Sequence, residues 1–306
     1  MNPGIRAVVR TALANNLRVI GIESGYEGML HGTFKQMGPR DVGGILQRGG
    51  TILQTARSME FKTPQGQRQA IRQLNNAEID ALVVLGGDGS LNGAFALYQQ
   101  GIPVVGVPAS IDNDIYGTDM CIGVDTALNT IVDAIDKLRD TASSHNRAFL
   151  VEVMGRDNGY LATQAGIISG AEMVLVPEYE TPFEDISTMI DEAYKRGKTH
   201  AIIVVAEGAA MSATEVATKV EELKLGFTTR VTVLGHIQRG GKPSAYDRFL
   251  ATRFGVKAVE FLLSGHSGVM TGLNGRDMEP VPLATVCSKK KILNEEYFKM
   301  ARMLAR

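Results

Sequence analysis

Three glycines, a carboxylate and a hydroxyl stand together in Gly86-Gly87-Asp88-Gly89-Ser90, directly after the apolar run Ala81-Leu82-Val83-Val84-Leu85. Such glycines let backbone N–H groups approach an anion, and a following helix N-terminus adds partial positive charge. Asp88 facing phosphates makes chemical sense when a hard cation such as Mg²⁺ lies between them. The same run also suits a tight strand-to-helix turn with Asp88 and Ser90 as caps. A second group, Ser110-Ile111-Asp112-Asn113-Asp114, follows another buried-type run. In extended chain Asp112 and Asp114 point the same way, so one can meet substrate while the other meets metal or a cation. An Asx-rich turn is the plainer reading of that composition. Arg147, Arg156, Arg230 and Arg239 each border an expected strand or glycine turn, and His236 stands three residues before Arg239. Any one of them reads as a surface arginine, but together at strand ends they point to a doubly charged phosphate ester, because guanidinium forks match phosphate oxygens. Glu207 adds an acceptor for sugar hydroxyls, or a solvated strand cap.

Positioning these groups needs strands that finish at a common edge. Short β-branched runs predict strands at 18–22, 51–54, 81–85 and 104–107, then at 148–153, 173–176, 201–206 and 231–234. Amphipathic stretches predict helices at 65–75, 91–99, 126–142, 183–196, 213–225 and 245–263. This alternation implies an α/β protein with two doubly wound, mostly parallel-sheet domains linked through helix 126–142, and a site in the cleft between them. Residues 1–10 read as a helix start with Asn2 as N-cap and Pro3 in the first turn. A doubly wound domain ordinarily opens with a strand, so the expectation is a start upstream of Met1. The run Gln-Arg-Gly-Gly occurs at Gln47 and again at Gln238 and reads as coincidence, not as a repeat.

Composition bounds the rest. The 306 residues suffice for about two domains, and a formal net charge of -1 gives no reason to expect nucleic acid or an acidic membrane as partner. Cys121 and Cys287, the two cysteines, lie too far apart in sequence for a disulfide framework or a zinc cluster. With no signal peptide and no apolar run of spanning length, a soluble, cytoplasmic protein is expected.

With these residues in place, the chain resembles the bacterial-type ATP-dependent 6-phosphofructokinases over essentially its whole length. The resemblance is carried by GGDGS at 86–90, SIDNDI at 110–115, GTD at 117–119, DTALNT at 125–130, EVMGR at 152–156, VAEG at 205–208 and RVTVLGHIQRGG at 230–241. It implies transfer of a phosphoryl group from Mg²⁺-ATP to the 1-hydroxyl of fructose 6-phosphate, giving fructose 1,6-bisphosphate in glycolysis. It also implies a larger ATP-binding domain, 1–123 plus about 238–288, and a smaller fructose 6-phosphate domain, 124–237 plus about 289–306.

Roles follow by resemblance, residue by residue. Asp112 matches the general base, Asp114 a supporting acid, and Asp88 the magnesium-associated carboxylate. Arg57 and Arg156 match cations on the transferring phosphoryl group. The sugar phosphate is matched by Arg147, Arg230, His236 and Arg239, with Ser110, Ile111, Met154, Gly155 and Glu207 completing its pocket. Tyr26, Ser58, Lys62, Gly87, Gly89, Ser90 and Gly93 match the nucleotide site. A related group uses pyrophosphate and tends to carry an aspartate at position 89 and a lysine at 109; Gly89 and Ala109 here favour ATP, with Gly89 and Gly93 leaving room for its α-phosphate.

Regulation is implied as well. Arg6, Arg10, Arg139, Gly170, Glu172, Arg196, Lys198 and His200 stand where family members bind ADP or GDP as activator and phosphoenolpyruvate as inhibitor. Pro39 takes the place of one effector arginine, with Arg40 beside it. The resemblance implies a homotetramer in which a neighbour supplies Arg147 and Arg230 to the sugar site. Family members place a strand and a Gly-Gly-Asp-x-Pro-Gly turn just before the residues matching Met1 and Asn2; without it, unpaired backbone edges and exposed apolar core are expected. The alternatives are a non-catalytic or impaired effector-binding subunit, a pyrophosphate-dependent enzyme, or a lipid or NAD kinase with a similar glycine turn. The last lacks the segment holding His236 and Arg239.

Overall fold

A computed structural model describes residues 1–142, 147–224 and 226–305. Leu225, the expected end of one helix, and Arg306 lie outside the described residues. The chain forms two compact units. One comprises Met1–Ser110, Ile115–Gly123 and Gly241–Lys291; the other comprises Ile111–Asp114, Val124–Gly240 and Ile292–Arg306. In chain order the strands are β1 (Ile20–Ile22), β2 (Phe34–Gln36), β3 (Leu82–Gly86), β4 (Val104–Pro108), β5 (Arg147–Val153), β6 (Met173–Leu175), β7 (His200–Ala206), β8 (Thr228–Val233), β9 (Val269–Asn274) and β10 (Asp277–Pro282).

The first unit carries a sheet ordered β10-β9-β4-β3 and a separate antiparallel pair, β1-β2. Strands β3, β4 and β9 run parallel, and β10 returns antiparallel to β9. Every residue of β4 is buried, which is why Val104, Val105 and Val107 read as a continuous apolar run without alternation. Helix Ala245–Leu263 packs Leu250, Ala251, Phe254, Ala258 and Phe261 against Val105 and Val107, at the three-to-four residue spacing of one helical face. Strand β3 is the terminal strand of this sheet.

The second unit has an all-parallel sheet ordered β6-β7-β5-β8. Ile186 and Ile190 of helix Phe183–Lys195, with Val216 and Val220 of helix Ala213–Leu223, bury against Leu150, Ile203 and Val205. Each such side chain stabilises the fold by about 1.5–3 kcal/mol relative to exposure. Among the described residues, no helix is long and apolar enough to cross a membrane.

Several local readings are corrected. Residues 51–54 form a turn instead of a strand, because Ile52 N–H donates to the Asn2 side chain (2.8 Å) and Leu53 C=O accepts from Ser24 N–H (2.7 Å), leaving no ladder to join. Asn2 is the first residue of helix Asn2–Ala14 rather than its cap, and its amide also donates to Arg48 and Gly49 carbonyls. Residues 111–114 are not extended: Asn113 has φ 52°, so Asp112 and Asp114 do not follow the two-residue alternation of a strand. Strands β2, β9 and β10 were not read from sequence. The β9-β10 hairpin closes through the two-residue loop Gly275-Arg276 between the paired Asn274 and Asp277, and Gly275 (φ 58°) at the first loop position is the signal that marks it.

Candidate active site

In the first unit, β3 ends at Gly86 and helix Asp88–Gln99 begins at once, with Gly87 as its N-cap. The helix starts three residues before the predicted 91, so Asp88 lies in its first turn, exposed beside Gly89. Neither Asp88 nor Ser90 caps through a side chain; Asn92 Nδ2 instead donates to Asp88 Oδ1 (3.0 Å). A Cβ at Gly89 would meet nothing within 4 Å, whereas one at Gly93 would lie 2.5 Å from the Tyr26 ring. The space above Gly93 is therefore filled by Tyr26, which corrects the expectation that this glycine leaves room for a ligand. Tyr26 donates its hydroxyl to Ser90 C=O (2.5 Å) and stacks on Phe61 at 4.1 Å and 7°. Burial pushes its phenol well above the ordinary tyrosine pKa. Ser58 accepts from Phe61 N–H (3.2 Å), Lys62 closes the 3₁₀ turn Glu60–Lys62, and Arg57 is exposed in the preceding loop. Ser110 follows β4 at the same sheet edge, its Cβ 3.6 Å from where a Gly87 Cβ would stand. The single carboxylate at a helix N-terminus suits Mg²⁺, which keeps waters and takes one or two carboxylates beside substrate phosphates. Among the described residues no group of three or more His, Cys, Asp or Glu is gathered into a metal cage.

In the second unit the carboxyl ends of β5, β7 and β8 converge on one constellation. Asp112 is only 3% exposed, and its Oδ2 lies 3.2 Å from Arg156 Nε. Desolvation raises its pKa first, and Asp114 and Glu207 raise it further, against the lowering pull of Arg156 and Arg239. Ile111 precedes it in the same turn, half-buried. Arg156 adopts φ 53°, a left-handed conformation that costs a non-glycine residue about 1–3 kcal/mol. Glu207 holds that turn: its Oε1 accepts from Gly155 N–H (3.2 Å) and Arg156 N–H (2.8 Å). One oxygen expected to meet sugar hydroxyls is thus engaged by backbone. Met154 is buried, and its N–H donates to Gln238 Oε1 (3.2 Å). Gln238, itself 1% exposed, also donates to Gly235 C=O (3.0 Å) and so ties β5 to the 3₁₀ turn Gly235–Arg239, on which His236 and Arg239 are exposed. Sequence reading missed Gln238, and only its place between His236 and Arg239 hinted at it.

Arg147 and Arg230 do not join this group. Arg147 opens β5, six residues before Val153, and pairs in register with His200 and Thr228; Arg230 lies inside β8 opposite Phe149 and donates to Thr229 C=O (2.7 Å). At about 3.3 Å per residue, Arg147 stands ~20 Å along the strand from its carboxyl end.

Of the effector set, the second unit gathers Arg139, Gly170, Glu172 and Lys198. Arg139 donates to Ser169 and Gly170 carbonyls, and Lys198 Nζ pairs with Glu172 Oε1 (3.1 Å). Glu172 Oε2 accepts from Ile202 N–H (2.7 Å), so this carboxylate is already neutralised and tied down. Arg196 Nε donates to Glu192 C=O (3.3 Å), and His200 contacts the Thr199 hydroxyl. Arg6, Arg10 and Arg40 belong to the first unit, with Arg10 and Arg40 exposed.

Comparison with known proteins identifies the family. The phosphofructokinase family profile matches residues 1–262. The ATP-dependent 6-phosphofructokinase of Thermotoga neapolitana is 51% identical over 306 residues, spanning 100% of this chain and 95% of that protein. Its namesake from Shouchella clausii is 48% identical over 305 residues, with the same coverage. Among solved structures, Pichia pastoris phosphofructokinase in the T-state matches with TM-score 0.90 at 36% identity, over 94% of this chain but only 34% of the yeast chain. The pyrophosphate-dependent phosphofructokinase of Marinobacter aquaeolei shares the fold with TM-score 0.84 at 20% identity, over 99% of this chain and 87% of that one. The chain therefore belongs to the phosphofructokinase family of enzymes.

Proposed function

We propose that this chain phosphorylates fructose 6-phosphate at its 1-hydroxyl with Mg²⁺-ATP, giving fructose 1,6-bisphosphate and ADP in cytoplasmic glycolysis. The observation that carries the reading is Asp112, buried against Arg156 at the carboxyl edge of an α/β sheet, where ligands of such folds bind. Support for ATP as donor comes from relatives of that name at 48–51% identity and from Gly89, beside which the space is open.

Asp112 accepts the 1-hydroxyl proton as the oxygen–phosphorus bond forms; the bond from the γ-phosphorus to the bridging oxygen breaks, and its electrons leave on ADP. Arg156, with Arg57, offsets charge on the phosphoryl oxygens, the main catalytic contribution in a loose transition state. Asp114 supports the base electrostatically. The N–H groups of the turn Gly87, Asp88, Gly89 and Ser90 cradle phosphate, and Tyr26, Ser58 and Lys62 flank the nucleotide. Asp88 would hold Mg²⁺, which would neutralise charge on the donor phosphates. Met154, Gly155, Glu207, His236 and Arg239, with Ser110 and Ile111, hold the sugar phosphate.

Arg147 and Arg230, far along their strands from Met154, serve a neighbouring subunit's sugar phosphate in a homotetramer, which makes catalysis depend on assembly. Arg139, Glu172 and Lys198 form the centre of an effector site for ADP, GDP or phosphoenolpyruvate. A coupled assay of fructose 6-phosphate turnover with Mg²⁺-ATP tests the reading. ATP-dependent formation of the bisphosphate is expected, and its absence from the folded, assembled protein contradicts it.

A further inference from the structure

The loop that carries Arg156 joins β5 to helix Tyr160–Ser169 and contains a turn in which Asn158 N–H donates to Gly155 C=O (3.0 Å). Arg156 is the second residue of that turn at φ 53°, where a positive φ ordinarily calls for glycine or asparagine. Such a conformation persists only while its surroundings hold it. Glu207 holds the front of the loop through the N–H groups of Gly155 and Arg156. A second carboxylate holds the far end: both oxygens of Glu178 accept from Gly159 N–H, Oε1 at 2.9 Å and Oε2 at 3.1 Å. Between the two, Asn158 is buried, and its Oδ1 accepts from Tyr160 N–H (2.9 Å).

Glu178 is itself fixed. It lies in the turn after β6, which the Val176–Tyr179 bridge closes, and Tyr179 stacks on the buried Phe298 of helix Glu295–Leu304 at 4.7 Å and 14°. A Cβ at Gly159 would come within 2.5 Å of Val176 and 2.7 Å of Glu178 Oε2, so the carboxylate reaches this amide because the position is glycine. We propose that Glu178 is a positioning residue for phosphoryl transfer, which acts through Gly159 to keep Arg156 against Asp112. This role rests on the proposed reading of Asp112 as base and Arg156 as phosphoryl cation. A helix cap is the plainer role for a carboxylate at a helix N-terminus, and it entails lost stability without altered chemistry. Here the capped amide directly follows the turn that Asn158 and Gly155 close, so a displaced Gly159 carries Arg156 with it.

The test compares Glu178→Ala, Glu178→Gln and, as control in the same segment, the exposed Glu180→Gln, all in the full chain. Glu178→Ala is expected to lower kcat at least ~10-fold, with KM for ATP near the parent value. Burial, Asp114 and Glu207 raise the pKa of Asp112, and Arg156 and Arg239 lower it, Arg156 the more strongly. Displacing Arg156 should therefore move the acid limb of kcat/KM to higher pH. The Tm difference between each protein and the same protein carrying Asp112→Asn, followed across pH, reports that pKa without turnover and should move the same way. Glu178→Gln keeps an acceptor for Gly159 N–H and should stay near the parent, as should Glu180→Gln. Parental kcat and an unmoved Asp112 pKa in Glu178→Ala would leave a helix cap only and overturn the proposal, as would equal losses in Glu178→Ala and Glu178→Gln. Turnover by the parent tests the catalytic reading separately, and the Tm readout decides the positioning role without it.

Discussion

Asp112 and Arg156 form a one-sided pair: Oδ2 of the buried carboxylate meets the guanidinium Nε at 3.2 Å, while Oδ1 has no hydrogen-bond partner among the described residues. A buried acceptor without a partner is a group that a substrate hydroxyl can satisfy.

Replacing Asp112 with Asn removes the proton acceptor and keeps the shape. We expect kcat to fall by at least ~10², with KM for fructose 6-phosphate little changed. Stability should move the other way. The native pKa of Asp112 is raised, so above it the parent carries a costly buried charge that the variant lacks. Asp112→Asn should therefore melt a few degrees higher at neutral pH, and the advantage should disappear as pH falls through the raised pKa, where the parent takes up its proton. Arg156, with its side chain 58% exposed, loses little with its partner. Calorimetry across pH together with steady-state kinetics checks both halves.

Arg156 lowers the pKa of Asp112. Arg156→Gln should shift the acid limb of the kcat/KM profile to higher pH, besides lowering kcat by about 10² through loss of a cation on the phosphoryl group. An unchanged acid limb would separate the two residues functionally.

Gly89 and Gly93 sit on the same helix but answer to different neighbours. A Cβ at position 93 enters the Tyr26 ring at 2.5 Å, so Gly93→Ala should destabilise by about 1–3 kcal/mol and disturb the Tyr26–Ser90 hydrogen bond. Position 89 is open, so Gly89→Ala should leave Tm at or above the parent value. Gly89→Asp should keep the fold and weaken ATP binding by placing charge beside the phosphates. Melting curves and KM for ATP separate the three variants.

Glu207 accepts from the N–H groups of Gly155 and Arg156 and holds the latter at φ 53°. Glu207→Ala should cost about 1 kcal/mol and raise KM for the sugar phosphate, whereas Glu207→Gln, which retains a carbonyl acceptor, should stay near the parent in Tm. Parallel loss in both variants would point to the charge instead of the turn.

The sequence makes most of this arrangement legible wherever local pattern and burial agree. The run at β3 and the helix after it, the fully apolar β4 and the helix Ala245–Leu263 all follow from periodicity. Residues 51–54 looked like a strand because their side chains are apolar, but Asn2, nearly fifty residues away, takes the Ile52 amide. The Asp112 turn misled for a related reason: Asn113 enters the left-handed region, which composition permits but spacing does not show. Gln238 was invisible because a buried glutamine is recognised by its partners Met154 and Gly235, and those are set by tertiary structure. Tyr26 and Gly93 were each read as nucleotide contacts, and their contact with one another emerges only when the chain is folded.

The central claim is a phosphoryl transfer from ATP to fructose 6-phosphate. Initial rates of fructose 1,6-bisphosphate formation, measured on the same preparation with Mg²⁺-ATP and with Mg²⁺-pyrophosphate, test it most directly. The account predicts turnover with ATP at least ~10²-fold faster than with pyrophosphate, and loss of the ATP rate in Asp112→Asn. Faster turnover with pyrophosphate, or an undiminished rate in Asp112→Asn, would contradict it.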